Sequence, residues 1–104
     1  SSSNVETRLV DRFPDEFEDV KTVGVSDPYW GAKVVSFVRM KAGLTLRATP
    51  ELRAECKSTM AAYETPQAFL LWEGEWPTSP EGKIDFKKLQ AQAAERLACA
   101  DTVQ

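Results

Sequence analysis

Residues 32–41, AKVVSFVRMK, constrain the fold of this chain more than any other run. β-Branched and aromatic side chains dominate it, and these fit best on a pleated sheet. The run reads as a strand. Just before it, Val20, Thr22 and Gly24 face opposite to Lys21, Val23 and Val25, the period of a second, partly buried strand. Between the two, SDPYWG gathers Asp27, Pro28 and Gly31, which is turn chemistry. The pair therefore predicts a β-hairpin.

Helical spacing flanks it. Val5, Leu9 and Val10 follow Asn4, a residue able to accept a hydrogen bond from an exposed helix amide, and Pro14 ends that helix. Thr49-Pro50 is a helix start, with Leu52, Cys56 and Met60 as its inward stripe and Pro66 beyond its end. QAFLLWEG reads as a third strand. After a long loop, Asp85 caps a last helix whose inward residues are expected to be Phe86, Leu89, Ala93 and Leu97. The order predicts an α+β domain: a small mixed β-sheet with a β-hairpin, covered by about three helices.

At 104 residues the chain is one domain with one modest core. Its 42% hydrophobic and 28% charged residues describe a globular protein, and the net charge of −3 argues against a nucleic-acid partner, which needs clustered Lys and Arg. There is no histidine, and the two cysteines, Cys56 and Cys99, lack metal-ligand spacing, so a zinc site has too few ligands and both read as reduced thiols. No apolar run approaches the ~20 residues of a membrane span and the N-terminus has no signal-peptide core, so a cytoplasmic location is expected.

The loop before the last helix, WPTSPEGKID (76–85), places Lys83 behind a glycine and two prolines. A phosphate-binding P-loop fails here, because Pro77 stands at its first glycine position and Ile84 follows the lysine. Alone, a Gly-Lys pair is most often a turn beside a solvated lysine. Prolines at 77 and 80, however, lower the number of conformations open to the loop, which holds Lys83 at a fixed edge rather than on a mobile tip.

The series SSSNVE, VGVSDPYWGAKVVSFVRMK, AAYETP and WPTSPEGKIDFKKL resembles, in order and spacing, the C-terminal domain of the adenylate-forming acyl-CoA synthetase (AMP-binding) enzyme family, from about Ser2 to Leu89. That family includes fatty acyl-CoA ligases, aryl-CoA ligases, luciferases and the adenylation domains of peptide synthetases. The resemblance implies that residues 1–104 are a mobile lid, cut from a larger enzyme whose N-terminal domain holds the ATP (with Mg) and acid pockets. It places the adenylation lysine on Lys83, with Pro77, Thr78 and Gly82 supporting its loop, and a CoA-facing loop at Asp27, Trp30 and Gly31. It further implies a carboxylic acid substrate, CoA as second cofactor, no cofactor bound by this domain alone, and an isolated domain that is inactive. The Pro77–Lys83 pattern resembles the context that protein acetyltransferases recognise in acyl-CoA synthetases. Three positions depart from the family: Ala32 stands where glutamate is common after Trp-Gly, Glu64 where lysine is common, and Glu81 where threonine usually precedes Gly-Lys. The two glutamates bring negative charge toward surfaces that in the family approach phosphates.

Other residues have plainer readings. The three tryptophans, 30, 72 and 76, are expected to pack against a neighbouring helix, and Asp27 to bond its own turn. Cys56 lies on an inward stripe, with no histidine to activate it. Lys87 and Lys88 read as a solvated helix face, and Asp15, Glu16, Glu18 and Asp19 as an exposed acidic run with nothing to raise one pKa. The alternative function is a non-catalytic binding module that keeps the fold and docks on a separate partner.

Overall fold

A computed structural model describes residues 2–29 and 31–103. The elements are α1 (Ser2–Arg12), β1 (Phe17–Asp27), β2 (Gly31–Met40), α2 (Thr49–Cys56), β3 (Ala68–Leu71) and α3 (Phe86–Val103). The expected α+β architecture is present. β1 and β2 form the antiparallel hairpin, with Asp27 opposite Gly31, and β3 adds parallel to β2 to give the order β1-β2-β3.

The alternation along β1 is real, and both of its faces are covered. Val20, Val38 and Phe69 pack with Val5, Leu9, Phe13, Phe17, Leu52 and Cys56 on the α1/α2 side. On the other side, Val23, Val35 and Phe37 pack with Leu89 and Ala93 of α3, and Trp72, Trp76 and Ile84 close the edge. Burial on both faces explains why β2 is apolar along most of its length. Thr22 and Ser36, opposite each other within the first layer, satisfy one another across 2.7 Å, hydroxyl to hydroxyl.

Several boundaries differ from the sequence reading. Asn4 does not cap α1, which has already begun at Ser2. β1 starts three residues before Val20, because Phe17 pairs with Met40 across an irregularity in register between Phe17 and Asp19. α2 stops at Cys56, yet Met60 stays buried because its amide donates to the Cys56 carbonyl in a turn that continues the stripe (2.9 Å). β3 is four residues long, although the Trp72 amide extends its ladder to the Val38 carbonyl. Phe86, expected to face inward, is 42% exposed, since Ile84 and Trp76 from the preceding loop fill that end of the core.

The acidic run is not uniformly exposed either. Glu16 is half-buried and takes both arms of the Arg47 guanidinium at 2.9 Å, while Arg47 also reaches Glu51 (2.7 Å) and Glu55 and lies over the Phe13 ring. Arg12 closes the cluster on Glu55. The Arg47 hydrogen bond holds the Glu55 carboxyl below its usual value, and the same carboxylates hold the Arg47 guanidinium above its own. Arg47 thus stays charged while Glu55 titrates. A depressed folded-state pKa gives stability that is present above the unfolded value and lost as pH falls through the folded one. The melting temperature is therefore expected to drop as pH falls below the ordinary carboxylate value of 4.5, and Glu55→Gln to flatten that slope. Equal slopes in a pH series of thermal melts would mean that the cluster adds nothing.

Candidate functional site

The segment carrying Lys83 folds back on itself as a miniature hairpin. The Asp85 amide donates to the Pro77 carbonyl (2.8 Å), the Ser79 amide to the Lys83 carbonyl (2.7 Å), and Thr78 bridges Ile84. Between Ser79 and Lys83 the connection is three residues, Pro80-Glu81-Gly82, closed by the Gly82 amide on the Ser79 carbonyl (2.9 Å). A loop of this length needs a residue in the left-handed region before the returning strand, and Gly82 has φ +84°. Pro80 sits in the first loop position, where its fixed φ suits the turn. The glycine and proline beside the lysine are thus explained by the geometry of a tight hairpin.

The returning strand leads straight into α3. Ile84 packs against the α3-side core, and the Asp85 carboxylate accepts the Lys88 amide (3.1 Å) while its carbonyl accepts the Leu89 amide (3.2 Å). Asp85 is the expected cap. Lys83 is exposed, and its ammonium forms no ion pair or hydrogen bond among the described residues. A lysine on a fixed backbone with an uncommitted charge can meet an anion presented from outside. Thr78 and Glu81 are exposed beside it, and Pro77 is half-buried.

The second set of expected residues lies on a separate loop, the β1–β2 turn. Asp27 accepts the Tyr29 amide (2.8 Å) and pairs with Lys33 (3.3 Å), so it does stabilise its own turn. Gly31 turns the chain into β2 with φ +84°. Tyr29 is 83% exposed at the tip. Trp30 lies outside the described residues. Ala32 is exposed on β2, and Glu64 pairs with Arg8 at 2.8 Å, which offsets its negative charge.

Two features were not read from the sequence. Trp76, directly before the lysine hairpin, donates its indole N–H to Asp19 (2.8 Å), and Arg47 gathers three carboxylates. Asp19 stands 57 residues from Trp76 and Glu16 31 residues from Arg47, so local spacing pointed to neither, whereas Glu51 lies at the i,i+4 spacing from Arg47. Cys56 is buried and Cys99 exposed, both free, and burial pushes the Cys56 thiol up, away from thiolate chemistry. Among the described residues no three His, Cys, Asp or Glu gather as metal ligands, and no helix is long and apolar enough to cross a membrane.

No family model matches the chain. Curated relatives do. The chain is 37% identical over 71 residues to the mitochondrial malonate–CoA ligase of Homo sapiens, a match covering 68% of this chain and 12% of that protein. It is 33% identical over 90 residues to the sulfoacetate–CoA ligase of Cupriavidus necator, covering 83% and 17%. Among solved structures, the acyl-CoA synthetase of Brucella canis superposes with a TM-score of 0.75 at 26% identity, over 92% of this chain and 18% of that one. The chain spans 12 to 17% of the length of the curated relatives it matches. Similarity in sequence and in fold converges on one group of enzymes, and the chain belongs to the adenylate-forming acyl-CoA synthetase family, of whose members it matches a small part.

Proposed function

We propose that residues 1–104 form the mobile C-terminal domain of an ATP-dependent acyl- or aryl-CoA synthetase, and that Lys83 is its adenylation lysine. The observation that carries this reading is the uncommitted ammonium of Lys83 on a hairpin fixed by its own hydrogen bonds and by the α3 cap. In the first half-reaction a substrate carboxylate attacks the α-phosphate of ATP and releases pyrophosphate. Both reacting groups are anionic, so a fixed ammonium between them offsets their repulsion as they close. Lysine suits this point-charge task better than a bidentate one.

ATP, its Mg and the carboxylic acid would be held by the larger N-terminal domain, and Lys83 would supply a positive charge to them from this one. In the second half-reaction the domain turns, and the Asp27–Gly31 loop faces the CoA path. A cytoplasmic enzyme of fatty acid metabolism or a related acid-activating route fits this chemistry. A protein acetyltransferase acting on Lys83 would convert its ammonium to a neutral amide and stop the first step.

The test is deletion. An enzyme lacking this domain is expected to bind ATP and the acid but to release pyrophosphate at a small fraction of the intact rate. Pyrophosphate release at the full rate would overturn the reading.

A further inference from the structure

We propose that the hydrogen bond between Trp76 and Asp19 tethers the lysine hairpin to the sheet, which makes both of them positioning residues for Lys83. The inference rests on the adenylation role proposed for that lysine.

The hairpin has two attachments. At its exit, Ile84 and Asp85 bind it to the start of α3. At its entry, the last residue before Pro77 is Trp76, and the Pro77 carbonyl is the acceptor that closes the hairpin's open end. Whatever fixes Trp76 therefore fixes the entry strand.

The Asp19 carboxylate does so at a specific place on β1. The register irregularity between Phe17 and Asp19 is a bulge-type break, a device that re-aims a side chain relative to a regular strand. One carboxylate oxygen of Asp19 accepts the Val20 amide (2.9 Å), which sets its orientation, and the other accepts the Trp76 indole N–H (2.8 Å). Lys21 stands 3.9 Å from the first oxygen, with its ammonium 6.0 Å from the Trp76 ring centre. On its remaining side Trp76 stacks on Trp72 at 5.9 Å and 20°, and Trp72 meets Phe37 edge-on at 5.4 Å. Stacking alone lets an indole slide in its own plane. The hydrogen bond to a carboxylate already fixed by its neighbour's amide stops that slide and sets where the hairpin begins.

A long, exposed lysine gains from a fixed base, because small misplacements of a catalytic group can cost up to about 10²-fold in rate. Trp76→Phe keeps an aromatic ring on Trp72 but removes part of the ring together with the N–H donor, so Asp19→Ala, which leaves the indole whole, is the variant that isolates the tether. In the enzyme carrying Trp76→Phe, amide exchange at Ser79, Gly82 and Asp85 is expected to quicken about tenfold, corresponding to ~1.4 kcal/mol. Amides between β1 and β2 should keep their wild-type rates. The adenylation kcat should fall roughly tenfold, with KM for ATP and the thioester step unchanged. Asp19→Ala should reproduce the hairpin exchange, and the double variant should add little further because both changes remove one interaction.

Unchanged exchange at the three hairpin amides overturns the tether, whatever the activity. Faster exchange that includes the β1–β2 amides also overturns it, since the effect would then belong to the whole fold. Faster hairpin exchange with normal adenylation overturns the positioning role if Lys83→Ala is impaired in parallel. If Lys83→Ala is equally active, the adenylation role of Lys83 fails and the tether remains as a structural finding.

Discussion

Phe37→Ala is expected to destabilise the domain by about 3–5 kcal/mol, a large share of the ~5–15 kcal/mol that holds a domain of this size together. Phe37 is fully buried on the middle strand, opposite Lys21 of β1 and Leu70 of β3. Its ring meets the edge of Trp72 and lies 5.3 Å from the Arg96 guanidinium carbon, while Arg96 donates to the Leu71 carbonyl (2.6 Å). Removing the ring leaves a cavity beneath α3 and takes away the surface on which Trp72, and through it Trp76, is seated. The backbone pairing of β2 does not compensate, because the lost contacts are all on one face. Urea denaturation measures the effect, and a loss under about 1 kcal/mol would mean that α3 is not seated on Phe37.

The central strand and the hairpin were legible because their signals are local. AKVVSFVRMK is apolar at both parities, and the Asp-Pro…Gly turn before it fixes where the chain reverses. The lysine loop was legible for a similar reason: Pro80 and Gly82 meet the demands of a three-residue connection, and Asp85 caps the helix that follows. What escaped depends on partners chosen in three dimensions. Phe86 has helical spacing to Leu89, but Ile84 and Trp76 reach that end of the core first. Asp19 lies in an acidic run that resembles a solvated surface, and only the break in β1 register and the return of the chain at Trp76 reveal its bond. The mixed sheet was expected, but which neighbour β3 joins was hidden, since a strand's composition does not name its partner.

Lys83→Ala is expected to slow acyl-adenylate formation by roughly 10²- to 10³-fold, the usual effect of removing a preorganised donor aimed at developing charge. Stability should hardly change. The side chain is exposed and makes no ion pair among the described residues, and surface substitutions of this kind usually stay within about 0.5 kcal/mol. The hairpin keeps its shape because its hydrogen bonds run through the backbone of Ser79, Gly82, Lys83 and Asp85, none of which the substitution removes. A large fall in melting temperature would place Lys83 among the residues that hold the fold and would remove the electrostatic explanation.

The most direct test of the account measures the two half-reactions separately on one Lys83→Ala enzyme. Single-turnover formation of the acyl-adenylate from ATP and acid is compared with thioester formation from a synthetic acyl-adenylate and CoA. If Lys83 acts from one orientation of the domain, the first rate falls by about two to three orders of magnitude and the second stays near that of the unmodified enzyme. Equal losses in both half-reactions, or none in either, would contradict the account.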